Sequence, residues 1–87
     1  MFKDMSFGTL FRELRIRNKE TLRQYCLKRG FDSGNISRLE RNLISPPQTK
    51  RQLMKYLNGL KFNDLDFDFL LAAAQNHHIA SVLRRFK

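Results

Sequence analysis

The 87-residue chain is poor in cysteine, in long apolar runs and in acidic residues. Its single cysteine, Cys26, excludes an internal disulfide and fits a reducing compartment. No apolar run approaches the roughly twenty residues of a membrane-spanning helix, so no membrane association is expected. The first residues, MFKDMSFG, lack the apolar stretch of a secretory signal peptide. We therefore expect a cytoplasmic protein.

The few acidic residues are unevenly placed along the chain. Residues 1–61 contain fourteen lysines and arginines against five acidic residues, whereas residues 62–81 contain three aspartates and no lysine or arginine. The net charge of +9 therefore reflects a basic excess in the first two thirds of the chain. Such an excess suits binding to phosphates, although it equally suits an anionic membrane or solubility alone.

Residues 21–40, TLRQYCLKRGFDSGNISRLE, have the pattern of a helix-turn-helix, the unit that places its second helix in the major groove of DNA. Thr21 and Gln24 form a capping box at the start of the first of these helices. Gly30 suits the left-handed conformation at its end. Asp32 is suited to cap the second helix, the third of the chain. The basic excess lies on the same part of the chain.

Apolar spacing and capping residues predict three further helices, the first, fourth and fifth of the chain. The first helix spans about residues 7–17. The third helix, which is the second of the pair in residues 21–40, is expected to end near Arg41, with Asn42 in a left-handed conformation. The fifth spans about residues 64–76, although the alternating apolar and acidic residues 65–69 also suit a strand. The sequence therefore predicts a single all-α domain of five short helices.

The fourth helix is predicted to begin at Ser45-Pro-Pro-Gln48, with serine as the cap and proline in the first turn. Its inward residues are expected to be Leu53, Met54, Leu57 and Leu60. In the loop before it, Leu43 and Ile44 are expected to turn their side chains inward.

No residue set in the chain suggests catalysis, a cofactor or a metal. His77 and His78 are consecutive, and consecutive helix positions point about 100° apart. No cysteine or third histidine completes a ligand set for a metal ion. The aspartates Asp64, Asp66 and Asp68 lack the glycine and distal glutamate of a calcium loop, and acidic residues at a helix start explain them better. We expect a protein that is not an enzyme.

Residues 7–60 resemble the Xre family of lambda-repressor-like helix-turn-helix regulators. The resemblance is carried by FRELR in the first helix, by the spacing Cys26-x3-Gly30-x5-Ile36-Ser37-x2-Glu40 and by the Pro-Pro break. It implies a five-helix lambda-repressor-like fold in a protein of bacterial or phage origin. It also implies a structural salt bridge between Arg15 and Glu40 that clamps the DNA-reading helix onto the rest of the domain.

The resemblance further implies how the protein contacts double-stranded DNA. Base edges would be faced by Ser33, Gly34, Asn35, Ser37 and Arg38. Arg38 is the best candidate for bidentate recognition of guanine, whereas Gly34 has no side chain to offer. Phosphate contacts are expected from Lys19, Arg23, Arg41 and Lys50. Leu22 stands where many relatives have a glutamine that contacts the DNA backbone.

Two functions remain in competition at this point. In the first, residues 1–61 are the DNA-binding core of a repressor that binds a partly palindromic operator as a homodimer. Residues 62–87 then complete the core and offer a dimer or partner surface, with the candidates Phe67, Leu71, Ile79, Leu83 and Phe86. In the second, the chain is an antitoxin whose segment after residue 61 covers a basic toxin protein. A phage Cro-like or repressor-like switch protein is a third possibility, which shares the DNA-binding mechanism of the first function.

Overall fold

The computed structural model describes residues 6–84, with side chains as far as Gln75. This part of the chain contains five helices and no strand: α1 (Phe7–Arg17), α2 (Leu22–Arg29), α3 (Ser33–Glu40), α4 (Lys50–Leu57) and α5 (Asp64–Arg84). The predicted all-α class is confirmed. Helix α1 packs against α3 and α5, and α2 packs against α3.

Side-chain caps are found at the start of all five helices, and Asn63 caps α5. The caps of α1 to α4 are Ser6, Thr21, Asp32 and Thr49, and each accepts a hydrogen bond from the backbone N–H three residues later. Each bond satisfies a donor that has no partner within the helix. The predicted capping box of α2 is complete, because Gln24 Oε1 also accepts from the Thr21 N–H at 2.9 Å.

Left-handed residues follow both α2 and α3, as predicted. Gly30 has φ 72° and Asn42 has φ 61°. The side chain of Asn42 also ties the end of α3 to the start of α1. Its Oδ1 accepts from the Gly8 N–H at 2.9 Å, and its Nδ2 donates to Ser6 Oγ at 2.9 Å.

The core lies between α1, α3, α4 and the first half of α5, with α2 covering one side. Its buried apolar residues are Phe7, Phe11, Leu14, Tyr25, Cys26, Ile36, Leu39, Leu53, Leu57, Leu60, Leu70, Ala73 and Ala74. The rings of Phe11 and Tyr25 meet edge to face with centroids 5.4 Å apart. The Tyr25 hydroxyl donates to the Tyr56 carbonyl at 2.6 Å, so this buried polar group has a partner.

The predicted start of α4 at Ser45 is wrong, because Thr49 is the cap. A residue that precedes a proline is held in an extended conformation, and the Pro46–Pro47 pair therefore continues the loop. Both prolines are buried. The side chain of Gln48 holds the loop against α5, since its Nε2 donates to the Ala74 carbonyl at 3.1 Å.

Three apolar residues predicted to face inward are exposed: Leu43, Ile44 and Met54. In the loop, Pro46 and Pro47 are the buried residues, whereas Leu43 and Ile44 are not. On α4, the buried stripe consists of Leu53 and Leu57, one turn apart. Met54 lies about 100° around the helix from Leu53 and therefore faces away from the core.

Helix α5 extends to Arg84 instead of ending near Asn76. No glycine or proline follows its start to stop it. It begins after Asn63, whose Oδ1 accepts from the Asp66 N–H at 2.8 Å. Residues 65–69 are therefore helical, and the strand alternative is excluded. Among the described residues, no helix combines the length and the apolar character needed to cross a bilayer.

Candidate nucleic-acid interface

Helix α3 buries one side and exposes the other. Ile36 and Leu39 lie in the core. The predicted base-reading residues are all at least partly accessible: Ser33, Asn35 and Arg38 are exposed, and Gly34 and Ser37 are half-buried. The helix therefore presents a polar surface on an apolar support.

The first turn of α3 brings Arg38 and Asn35 together. Asp32 Oδ2 accepts from the Asn35 N–H at 3.0 Å and so caps the helix. The Arg38 side chain runs back along the helix, and its Nη2 donates to Asn35 Oδ1. A β-carbon built on Gly34 would lie 3.6 Å from Arg38 Nη1, so the guanidinium lies over this glycine. The charge of Arg38 is thus held near the amino-terminal turn of α3.

Arg15 contacts both ends of the α2–α3 segment. Its Nε and Nη2 donate to the two carboxylate oxygens of Glu40 at 2.7 and 2.9 Å, and the two side chains are 8% and 6% exposed. Its Nη1 donates to the carbonyl of Glu20, next to the cap of α2, at 2.8 Å. The hydrogen bond with Glu40 raises the pKa of Arg15 against the opposing effect of burial. The expected salt bridge is therefore present and buried.

The end of α3 also packs directly against the backbone of α1. A β-carbon at Gly8 would lie 2.7 Å from the Leu39 carbonyl oxygen and would collide with that of Glu40. Only glycine allows this approach without a shift of one helix. Together with Asn42, this contact holds the carboxyl-terminal end of α3 in place.

Arg29 is a second buried cation, and sequence reasoning did not identify it. Its side chain is 6% exposed, and its Nη1 donates to Glu20 Oε1 at 2.9 Å. Its Nε donates to the Asn58 carbonyl at 2.6 Å, and its guanidinium lies 4.1 Å from the centre of the Tyr25 ring. Arg29 thereby joins the end of α2 to the end of α4. In the sequence Arg29 stands in the last turn of a short helix, where exposed basic residues are common, so nothing there indicated that it is buried.

Glu20 receives two cations, from Arg29 and from Lys28. The hydrogen bond from Arg29 lowers the pKa of Glu20, and Lys28 lowers it further, although burial opposes both. The carboxylate is buried and is held charged by these partners.

The turn between α2 and α3 is held by Phe31. Its ring stacks against Tyr25 and Tyr56, with centroids 5.9 and 5.2 Å away. Its N–H donates to the Cys26 carbonyl at 3.1 Å. Cys26 itself is buried, and burial raises the pKa of its thiol, as expected for a packing residue and not for a reactive one.

The four predicted phosphate-binding residues, Lys19, Arg23, Arg41 and Lys50, are exposed. Arg23 lines a groove of about 530 Å³ that also includes Leu22 and Ser33. Leu22 in turn borders a second groove that includes Lys19. Lys19, Arg23 and the start of α3 therefore lie along one continuous surface. Arg41 directly follows α3, whereas Lys50 lies across the loop at the start of α4.

The predicted partner surface in the last third of the chain is only partly accessible. Phe67 and Leu71 are half-buried and pack against the core of their own chain. In the range with described side chains, the large apolar residues of α5 that are exposed are Leu65 and Phe69, at 60% and 45%. The remaining predicted members, Ile79, Leu83 and Phe86, lie outside that range, as do His77 and His78.

In the described part of the chain, no three histidine, cysteine or acidic side chains lie close enough to hold a metal ion. Comparison with protein-family models, curated proteins and solved structures gave no match. The function is therefore inferred from the residues of this chain alone.

Proposed function

We propose that the protein is a sequence-specific regulator of transcription that binds double-stranded DNA. In this proposal residues 21–40 form a helix-turn-helix in a lambda-repressor-like domain, and α3 enters the major groove. The observation that carries the proposal is the exposed polar edge of α3, formed by Ser33, Asn35 and Arg38. Hydrogen bonds to base edges require such side chains on a support that does not move.

The contacts around α3 provide that support. Ile36 and Leu39 anchor its inner side, Phe31 holds the preceding turn, and Arg15 and Gly8 hold its end. A helix that is restrained on its inner side and at both ends loses little further conformational freedom on binding. Because such a helix does not shift to accommodate a wrong base pair, its side chains can distinguish one base pair from another.

Exposed cations near α3 supply a second support for the proposal. In the described part of the chain, none of the ion pairs involves Lys19, Arg23, Arg41 or Lys50. These charges are therefore available to phosphates. Phosphate contacts set the register of a DNA-binding protein and supply much of its affinity without reading the sequence.

The proposed regulator is a repressor that acts as a homodimer on a partly palindromic operator. Two copies related by a two-fold axis would place their α3 helices about 34–36 Å apart, on the same side of the duplex. Helix α5 carries the proposed contact between the copies. No catalytic step, metal or cofactor is part of this function.

Selection of binding sites from random duplexes tests the proposal. We expect one enriched sequence with two related half-sites. Titration of that duplex at several salt concentrations should give a negative slope of log affinity against log salt. Four cations per protomer correspond to a slope of about −3.6 for each protomer. Equal affinity for all duplexes would contradict an operator-binding function.

Two arginine variants separate base recognition from phosphate binding. Arg38→Ala should lose about 1–3 kcal/mol of discrimination at one base pair. Arg41→Ala should weaken binding to every duplex by a similar factor and reduce the salt slope by about 1. Lys55→Ala, on the exposed side of α4, is the control and should leave both quantities unchanged. Uniform weakening by Arg38→Ala would assign Arg38 to a phosphate instead.

The exposed start of α5 favours a second candidate function, that of an antitoxin. Leu65 and Phe69 are separated by one helical turn, and Asp64 and Asp68 are exposed beside them. This apolar and acidic surface is complementary to a basic protein with an apolar patch. A DNA-binding domain that carries such a surface can hold a toxin protein and repress its own operon.

Co-purification with the product of an adjacent reading frame tests the antitoxin candidate. The wild-type chain should retain a basic partner, and the Leu65→Asp/Phe69→Asp variant should release it. Met54→Asp alters an exposed apolar residue on α4 and should keep the partner. Failure of the wild-type chain to retain the neighbouring product would exclude this function and leave the repressor proposal intact.

A further inference from the structure

Arg38 and Asn35 are joined by a side-chain hydrogen bond on the exposed edge of α3. Arg38 Nη2 donates to Asn35 Oδ1 across 2.5 Å, and the two residues lie one helical turn apart. A guanidinium has only donors, so the amide atom that faces it must be the oxygen. The bond therefore occupies one of the two lone pairs of the Asn35 amide oxygen.

The guanidinium of Arg38 lies over Gly34. Its Nη1 and Nη2 would be 3.6 and 3.7 Å from a β-carbon at this position, which are ordinary contact distances. Arg38 would otherwise project from the last turn of α3. Instead its charge lies at the first turn, and the amino-terminal residues of a reading helix are those that contact base edges.

We propose that Asn35 and Arg38 form one recognition unit for guanine, in which Asn35 positions the guanidinium of Arg38. This inference rests on the proposed DNA-binding function. Asn35 accepts one of the two Nη2 hydrogens. Whichever it accepts, one two-donor edge of the guanidinium stays free, either Nε with Nη2 or Nη1 with Nη2. Such an edge matches the O6 and N7 acceptors of guanine.

The same bond sets Asn35 against the recognition of adenine. An asparagine that selects adenine accepts a hydrogen bond from N6 and donates one to N7. In this structure one of the two lone pairs of the amide oxygen already accepts from Arg38, and the guanidinium occupies that side of the amide. An adenine N6 group would have to share the oxygen with a cation. Asn35 therefore acts through Arg38 in the choice of base.

A double-mutant cycle on base discrimination tests this unit. The quantity measured is the ratio of Kd values for a duplex with the selected guanine and for the same duplex with adenine in its place. The wild-type ratio should be about 5- to 150-fold. Arg38→Ala should bring it near one, and Asn35→Ala should reduce it by at least about threefold at the same base pair. The double variant should resemble Arg38→Ala alone, because in this proposal Asn35 affects the choice of base through Arg38.

A conservative variant and a matched control separate positioning from a general structural role. Asn35→Asp keeps an acceptor for Arg38, so it should retain the guanine preference while its negative charge lowers the affinity for every duplex. Asn58→Ala alters an exposed asparagine on the loop after α4 and should change neither quantity. All variants should unfold at the wild-type temperature, since the α3 cap uses the backbone N–H of residue 35.

The outcomes distinguish this inference from the function on which it rests. In one outcome the wild-type protein prefers one duplex, but Asn35→Ala weakens a preference for adenine at a different base pair. That result would overturn the recognition unit and leave the DNA-binding function standing. Multiplicative effects of the two alanine variants would overturn the unit in the same way. If the wild-type protein prefers no duplex, the proposed function fails and the unit fails with it.

Discussion

The guanidinium of Arg15 and the carboxylate of Glu40 form a buried ion pair through two hydrogen bonds of 2.7 and 2.9 Å. The remaining terminal nitrogen of Arg15 donates to the Glu20 carbonyl at 2.8 Å. One side chain of α1 therefore contacts the residue that closes α3 and the residue that precedes the cap of α2. This group therefore helps to fix the relative position of α2 and α3.

Loss of the Arg15–Glu40 pair should strongly destabilise the fold. Arg15→Ala leaves the Glu40 carboxylate buried without its partner, and we expect a loss of about 3–5 kcal/mol in the free energy of unfolding in urea. Arg17→Ala is the matched control, because Arg17 is also on α1 and pairs with Asp66 at an exposed position. Its loss should be at most about 1 kcal/mol. Equal losses for the two variants would contradict the structural importance of the buried pair.

A β-carbon at Gly8 should also destabilise the domain. Gly8→Ala would force the backbone of α1 away from the carbonyl groups of Leu39 and Glu40, at a cost of about 1–3 kcal/mol. Gly34→Ala is the control, because Gly34 is likewise the second residue of its helix. The β-carbon at Gly34 meets only side-chain atoms, so the helical preference of alanine should offset any strain. Thermal unfolding of the two variants measures the difference.

Replacement of Arg29 by lysine should be costly even though the charge is kept. Lysine lacks the planar fork that reaches Glu20 and the Asn58 carbonyl together. We expect Arg29→Lys to lose about 2–3 kcal/mol in urea unfolding, since hydrogen bonds to a buried charge are lost. Lys28→Ala removes the other cation near Glu20, but Lys28 is largely exposed and its loss should cost at most about 1 kcal/mol. The opposite order of stabilities would show that Arg29 is not the main partner of Glu20.

Glu20 should make the stability of the domain depend on pH in acid. Its pKa is lowered in the folded state from an ordinary value of 4.5. A lowered pKa means that the contribution of Glu20 is complete above pH 4.5 and is lost as the pH falls through the folded-state value. The advantage of the wild-type protein over Glu20→Gln in urea unfolding should therefore shrink between about pH 5 and pH 3. Glu13→Gln, at an exposed position on α1, should show no such change. A constant difference between wild type and Glu20→Gln across this range would contradict the prediction.

The sequence predicted features that depend on residues close together in the chain. The Thr21–Gln24 box, the Asp32 cap and the left-handed Gly30 and Asn42 each involve groups within about one helical turn. For this reason the bounds of α1, α2 and α3 were predicted well. The start of α4 was missed because two local caps compete there, and the buried prolines with Gln48 decide in favour of the later one.

The exposed residues of the candidate site were predicted from the sequence, but their arrangement was not. The helical period of α3 places Ile36 and Leu39 opposite Gly34, Ser37 and Arg38 without knowledge of any other helix. The hydrogen bond between Arg38 and Asn35 depends on side-chain rotamers, which composition does not reveal. Arg29 was missed for a similar reason, since its partners Asn58 and Glu20 are distant in the chain or outside its helix.

The sequence by itself thus determined that the chain is all-α, where most of its helices begin and which side of α3 is polar, because caps and apolar periodicity are local properties. Only the tertiary structure decided which charged residues are buried and which apolar residues are not. Burial depends on what the other helices leave uncovered. Arg29 is enclosed by the end of α4, whereas Leu43, Ile44 and Met54 remain exposed and the neighbouring Pro46, Pro47 and Leu53 are buried in their place.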